Sequence, residues 1–501
     1  MSNLAVGNRF CVATPHYKAS LMGANEYLNS QAPTSAALQA ALSLTHNLPH
    51  LCGLGGDAII LQKNSDCVTT YNGTGKTWTH QHQNSYRDKG LSAIPRRGVH
   101  STMVYGCPSA YDEFVRRNAV DLPEMVGRLI RNDFSHGLQL TPNITKIYRA
   151  AEKEIDKYCR FHHWQKSLYG DRCLSAHYGE TLIEIGTKGF KTLYEGDLAH
   201  KVHTAIHDAD PHLVEERDLT RFESNPTEIR RTRFLDAHVT AHGANSPWKE
   251  LFLLLKVYEA AAKSDTTLSA EQICHAAGLV CKHAADRSPL YSSDEALTAT
   301  AQRIYNEARS SMQLHTIPHN ARQAHTEFLA CASACGQLIG ITNSIFTPLG
   351  ALVEVGDSGI MMSNRCYAFN HCAPESFRAG EPVDHTNNCV LVETNDYEFV
   401  IGTSGGPVQS QTLALILNRI IAEQASVFDA VSAPRHANMG IHPKTKEVCY
   451  LCEGAPPSTR FSSVEGKSDK LGIVQVAGIN KRNGMPFAVA DSRGQGIAIG
   501  L

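Results

Sequence analysis

GTSGGP, Gly402 to Pro407, is the stretch on which the fold turns. Its first five residues satisfy G-x-S-x-G, the strand-to-helix elbow that exposes the nucleophilic serine of α/β-hydrolases. The preceding "EFVI" has the apolar, β-branched character of a buried strand, and the following "QSQTLALILNRII" has helical periodicity, so the elbow's context is met. If Ser404 is the nucleophile, an acid and then a histidine must follow, and Asp429 and His436 stand in that order. Only "AVSAPR" separates them, which leaves little room for separate acid and histidine loops. In the competing reading Gly405 and Gly406 carry the chemistry and Ser404 only turns the chain.

Around this stretch lies a chain of 501 residues, 42% hydrophobic and 19% charged, long enough for one large domain or two ordinary ones. A formal net charge of -2 gives no electrostatic footprint for nucleic acid or an anionic membrane. The opening "MSNLAVGNRFCVATPHYKAS" lacks the apolar core of a signal peptide, and no later run approaches the roughly 18 apolar residues of a membrane span. The expectation is therefore a cytoplasmic protein with a small-molecule substrate, binding neither nucleic acid nor membrane. In that compartment the 15 cysteines read as reduced, buried hydrophobes rather than a disulfide framework.

Metal and phosphate motifs are weak. Cys449 and Cys452 form a lone C-x-x-C in a strand-like "VCYLC", with no second pair to complete a zinc site. "YCRFHHW" offers Cys159, His162 and His163 at a polar helix end. "GLGGD", Gly53 to Asp57, has neither G-x-G-x-x-G spacing nor a terminal G-K-S/T, so it reads as a tight backbone turn. No metal and no cofactor is expected.

The texture of the chain changes near residue 325. Before it, "AIILQKN" and "CVTTYNG" form an early strand pair, and most of the rest is helical, from "KASLMGANEYL" to "SSDEALTATAQRIYNEARSSM". After it come strand-like runs: "EFLACASAC", "QLIGITNSIF", "SGIMMS", "CVLVETN", "EFVIGT", "VCYLC", "GIVQVAGIN" and "FAVAD". Strands gathered in one block and helices in the other predict an α+β fold of stacked sheets under helices rather than a βαβ alternation.

Taken in order, these segments resemble the γ-glutamyltransferase and cephalosporin-acylase-like group of N-terminal nucleophile hydrolases. The resemblance rests on "VATPHYKASLMGANEYL", "HLCGLGGDAI", "VTTYNGTGKTW" and "YGETLIEIGTKGFKTLYEGDLA" in the first block. In the second it rests on "CGQLIGITNSIF", "SGIMMSNR", "GTSGGPVQSQ", "FDAVSAPRH" and "ADSRGQG". It implies a four-layer αββα sandwich of two mainly antiparallel sheets, made as one chain that cuts itself before a threonine. That residue is Thr326 in "QAHTEFLACASACG", so the cut falls between His325 and Thr326 and leaves segments 1–325 and 326–501 of one domain. The freed α-amine, with an ordinary pKa of about 8, then serves as base for a hydroxyl that is otherwise a poor nucleophile. The cut pair would act as a heterodimer, or as a homodimer of such pairs.

On the same resemblance, the N–H groups of Gly405 and Gly406 face the substrate's carbonyl oxygen, and Ser344 steadies the nucleophile's oxygen. The substrate end departs from the glutamyl pattern. The position of the carboxylate-binding arginine holds Lys76, which offers a point charge without a bidentate fork. The serine pair is replaced by His385 and Thr386, and the amine-binding acid by Ala368. The implied enzyme is an amidase or acylase for an anionic acyl group, held by Lys76, Arg365, His385 and Thr386, and not specific for glutathione. Adaptation to a secondary-metabolite pathway fits the same family. Two readings of other classes remain: an uncut binding protein, and a hydrolase working through Ser404.

Overall fold

The computed structural model describes residues 3–81, 86, 90–139, 141–159, 172–173, 176–224, 227–284, 293–310, 317, 325–371, 377–441 and 447–501. Two antiparallel sheets dominate it. One has six strands in the order Ala498–Gly500, Phe10–Ala13, His325–Ser333, Leu338–Phe346, Asp57–Asn64 and Cys67–Gly73. The other has seven, in the order Asn3–Val6, Pro486–Ala490, Val474–Asn480, Tyr397–Thr403, Cys389–Glu393, Ala237–His242 and Ile229–Phe234.

The sheets pack face to face across a thin, alanine-rich layer that includes Phe328, Ala330, Ala332, Leu391, Val400, Ala477 and Ala488. Small side chains let the sheets approach closely, and the period-2 alternation of each strand sends the larger residues outward. Leu329, Cys331, Ile339 and Ile341 face helices such as Pro33–Asn47 and Cys107–Asn118. On the far side Val392, Phe399, Ile401 and Val476 lie under Trp248–Lys263 and Gln409–Ile421. The order helix, sheet, sheet, helix is the expected αββα sandwich.

Two expectations need correction. The first block supplies strands to both sheets, including Asn3–Val6, Ile229–Phe234 and Ala237–His242, and is more than a helical coat around a short sheet. "SGIMMS" forms only isolated bridges, Gly55 with Met362 and Glu354 with Met361. The "GLGGD" turn explains why. The backbone of Met361 passes directly over Gly55 and that of Ser344 over Gly56, an approach that a Cβ would block. Among the described residues no helix is long and apolar enough to cross a membrane.

Candidate functional site

Thr326 is the second residue of the strand His325–Ser333 and is 0% exposed. Phe328, Ala330 and Ala332 on that strand face the seven-stranded sheet, so the same parity sends Thr326 between the sheets and Glu327 toward the helices. Between the sheets, the Thr326 hydroxyl donates to Asn387 Oδ1 at 2.9 Å and accepts from Gln409 Nε2 at 3.1 Å. Asn387 stands just before the strand Cys389–Glu393, and Gln409 opens the helix Gln409–Ile421. Gln409 Oε1 accepts the Asn388 N–H at 2.9 Å, which fixes the orientation of its amide. Neither Asn387 nor Gln409 stood out in the sequence.

Opposite Thr326 the sheet loses its register. Glu327 faces Asn343, yet His325 faces Phe346, which leaves a bulge at Ser344 and Ile345. Phe346 takes up the distortion at φ +73°, a costly conformation for an aromatic residue. The bulge aims Ser344 one residue back from the expected target. Its hydroxyl donates to the carbonyl oxygen of His325 at 2.5 Å, the bond preceding Thr326, and accepts the Phe346 N–H at 2.9 Å. Glu327, buried on the helical side, has its carboxyl pushed up to about 8 by desolvation and then by Asp469.

The Gly402–Pro407 stretch forms a turn tied to a neighbouring strip of backbone. Ser404 N–H donates to Ile473 O at 3.1 Å, and Ser404 Oγ accepts the Ile473 N–H at 2.9 Å. Asp429 bonds the Ser426 hydroxyl at 2.6 Å, and His436 lies edge-on to the Phe461 ring. Among the described residues no hydrogen bond joins Ser404, Asp429 and His436. Gly405 and Gly406 adopt φ of +108° and +56°, and neither amide is matched with a backbone acceptor among the described residues. Such dihedrals at consecutive positions suit glycine alone.

A buried ion network anchors that strip. Arg435 donates to the carbonyls of Leu471 and Gly472 at 3.3 and 2.6 Å and pairs with Asp491 at 2.6 Å. Asp491 accepts the Val474 N–H at 3.1 Å, and Arg493 bridges Asp491 and Glu453. Burial draws Arg435 down to about 10, which still leaves it charged at neutral pH.

Of the four expected substrate-binding residues, Arg365 lies near enough for its charge to act on His385, and His385 is hydrogen-bonded to Asn387. Arg365 is 1% exposed; its Nε donates to Asp57, and its guanidinium carbon lies 4.9 Å from the centroid of the Phe346 ring. Asp57 also accepts the Gly75 N–H, at 2.9 Å. Desolvation, followed by the charge of Arg365, holds His385 well below its ordinary value, so the ring is neutral. His385 Nδ1 accepts the Asn387 N–H at 3.2 Å, which puts the ring's one proton on Nε2. Among the described residues three nitrogens of this group are buried without a hydrogen-bond partner: Arg365 Nη2, His385 Nε2 and Asn387 Nδ2. Thr386 stands half-buried between the last two in sequence. Lys76 is pinned by backbone bridges to Val104 and Pro382, with its ammonium 5.4 Å from the centroid of the Phe222 ring. No hydrogen bond or ion pair links it to Arg365, His385 or Thr386 among the described residues.

Cys449 and Cys452 lie in the strand Val448–Glu453, three residues apart and so on opposite faces. Cys159 is buried near Glu354, whereas His162 and His163 lie outside the described residues. Among the described residues no group of three His, Cys, Asp or Glu side chains is placed to hold a metal ion.

Two stacked antiparallel sheets between helical layers define the class: the chain has the fold of the N-terminal nucleophile hydrolases. Its sequence matches the family model described as Gamma-glutamyltranspeptidase over residues 30–501, and the chain belongs to that family. A curated relative, the Glutathione hydrolase-like YwrD proenzyme of Bacillus subtilis (strain 168), is 24% identical over the whole of both chains. The crystal structure of cephalosporin acylase from Bacillus halodurans superposes with a TM-score of 0.83 at 20% identity. That match covers 100% of this chain and 97% of the other, and it speaks for the fold.

Proposed function

We propose that the protein is a self-processing amidohydrolase whose nucleophile is Thr326 and whose substrates carry an anionic acyl group. One observation carries the reading: the Thr326 hydroxyl is held on both sides, by Asn387 and Gln409, while Ser344 donates to the carbonyl of the bond to be cut. Thr326 Oγ adds to the His325 carbonyl carbon and the C–N bond breaks. The hydroxyl proton is passed on and the departing nitrogen is protonated, which leaves a free amine and an ester. Water then hydrolyses the ester to a His325 carboxylate and a regenerated hydroxyl, with segments 1–325 and 326–501 remaining interleaved. The relative's description as a proenzyme agrees with such processing.

In the mature enzyme the Thr326 amine takes the hydroxyl proton, the oxygen attacks the substrate amide, and the leaving amine receives that proton. Gly405 and Gly406 supply N–H donors for the developing oxyanion, and two such preorganised donors are commonly worth a few kcal/mol each. Arg365 Nη2, His385 Nε2 and Asn387 Nδ2 are all donors with no acceptor among them. Such a set fits a carboxylate, which only accepts, and disfavours an ammonium group. A zwitterionic glutamyl end would also find the alanine methyl of Ala368 where the resemblance puts its amine partner, so glutathione is a poor fit. The acylase name of the solved neighbour favours hydrolysis of such an acyl amide.

The test is the mass of the denatured protein for the natural sequence and for Thr326→Ala. Fragments of 325 and 176 residues, counted from the 501-residue chain, are expected from the first only. An intact chain in both would overturn the reading.

A further inference from the structure

Asn387 is 1% exposed and uses its three polar groups unequally. Its backbone N–H donates to His385 Nδ1, its Oδ1 accepts the Thr326 hydroxyl, and its Nδ2 has no partner among the described residues. A buried amide that leaves two N–H bonds unmade carries a desolvation cost, and side chains held in that condition are commonly those with a ligand to meet. His385 Nε2 and Arg365 Nη2 point the same way, since they too are buried donors without partners among the described residues.

The nucleophile's side of the residue has its own logic. A hydroxyl has one hydrogen and two lone pairs. The hydrogen of Thr326 is directed to Asn387 Oδ1, and one lone pair is occupied by the N–H of Gln409. That leaves a single lone pair for the carbonyl of His325, which Ser344 polarises from its oxygen. Asn387 is not a base, and the hydroxyl proton does not rest on it. Its oxygen sets which way the proton points, and hence which way the attacking lone pair points.

We infer that Asn387 is a catalytic residue with two separable tasks: Oδ1 orients the Thr326 hydroxyl for self-cleavage, and Nδ2 joins His385 and Arg365 in binding the carboxylate of the acyl group. The inference rests on the function proposed above and adds a residue that contacts a reacting atom directly. It also makes the carboxylate site contiguous with the nucleophile, so the acyl group must be short. A carboxylate held by Nδ2 is tied to the residue that holds the attacking oxygen, which selects compact dicarboxylic acyl groups over long ones.

Asn387→Asp separates the tasks, because it keeps an acceptor oxygen at the Oδ1 position and replaces the Nδ2 donor with a second acceptor. The full chain is used, with cleavage read by denaturing mass and turnover read with glutaryl-p-nitroanilide against its neutral counterpart valeryl-p-nitroanilide. The Asp variant is expected to cleave itself within about threefold of the natural rate. Its KM for the glutaryl anilide should rise about tenfold or more, as befits the loss of a hydrogen bond to a charged group, while the valeryl anilide is little affected. Asn387→Ala loses both groups and is expected to slow self-cleavage about tenfold or more. Asn387→Ser, which puts a short hydroxyl in place of the amide, gives an intermediate effect and serves where either other variant fails to fold as judged by melting.

An Asp variant that folds but stays intact would overturn the orienting task. An Asp variant that keeps the full preference for the glutaryl anilide would overturn the binding task. If the natural chain is never cleaved, the proposed function itself fails, an outcome distinguishable from both.

Discussion

Ser344→Ala removes one hydroxyl and puts the self-cleavage geometry to a quantitative test. That hydroxyl donates to the His325 carbonyl oxygen at 2.5 Å, where the proposed attack by Thr326 would build negative charge. Loss of one donor to a developing oxyanion typically costs about 2.7–4 kcal/mol, or about a hundred- to a thousandfold in rate. Here the bond already exists in the ground state, and only its strengthening in the transition state accelerates the step. The lower end, about a hundredfold, is therefore the expected slowing. A separate cost falls on stability, since the N–H of buried Phe346 also loses its acceptor, worth about 1–3 kcal/mol. Ser344→Thr keeps a hydroxyl at the same place and should restore most of the rate. The assay is a time course of denaturing mass after cell-free synthesis, with melting recorded in parallel. A Ser344→Ala chain that melts lower but cleaves within threefold of the natural rate would refute the argument, because the hydroxyl would then be structural only.

Three further outcomes are expected. Gly405→Ala sets a methyl at φ +108°, 2.8 Å from Val408 Cγ2. It should lower kcat for glutaryl-p-nitroanilide by about a hundredfold while processing before Thr326 continues, and equal loss of both would show that the turn serves the whole site. Asp57→Asn leaves the guanidinium of Arg365 buried without its counter-charge and should cost about 3–5 kcal/mol of stability, seen as a lowered melting temperature; an unchanged one would mean that the pair is not load-sharing. Burial, then neighbouring histidine charges, draws His50 from 6.5 down to about 3, so below 6.5 the unfolded chain binds a proton that the fold refuses, and stability falls as pH drops from about 6.5 toward 3. His50→Phe should flatten that slope by up to about 1.4 kcal/mol per pH unit in scans from pH 7 to 4, and superimposable profiles would remove His50 from the account.

The legible parts of the fold are those in which a local pattern and the tertiary structure agree. "CVTTYNG" and "VCYLC" became strands because β-branched and apolar residues favour a half-buried pleated surface, and "WKELFLLLKVYEAAAK" became a helix through its period. Ile229–Phe234 escaped notice because its sequence is "IRRTRF". As the edge of the seven-stranded sheet it needs only one buried face, and its partly exposed arginines hide a strand from any count of apolar residues. The helical look of the first block followed from missing that hairpin.

The site divides along a similar line. Thr326 and the glycine pair were proposed from an ordered set of segments, whereas Asn387 and Gln409 had no such signal. No spacing in the chain relates positions 326, 387 and 409. The relation arises only where a residue preceding one sheet's strand and the first residue of a covering helix meet a strand start of the other sheet. Ser344 shows the limit most clearly. Regular pairing would set its side chain directly opposite Thr326, and the bulge between Asn343 and Phe346 redirects it to the His325 carbonyl. The proposed self-cleavage needs the His325 carbonyl polarised beside the Thr326 hydroxyl, and a regular ladder would not bring the Ser344 hydroxyl to that carbonyl. The break in register that conceals the geometry from the sequence is thus the feature on which the proposed reaction depends.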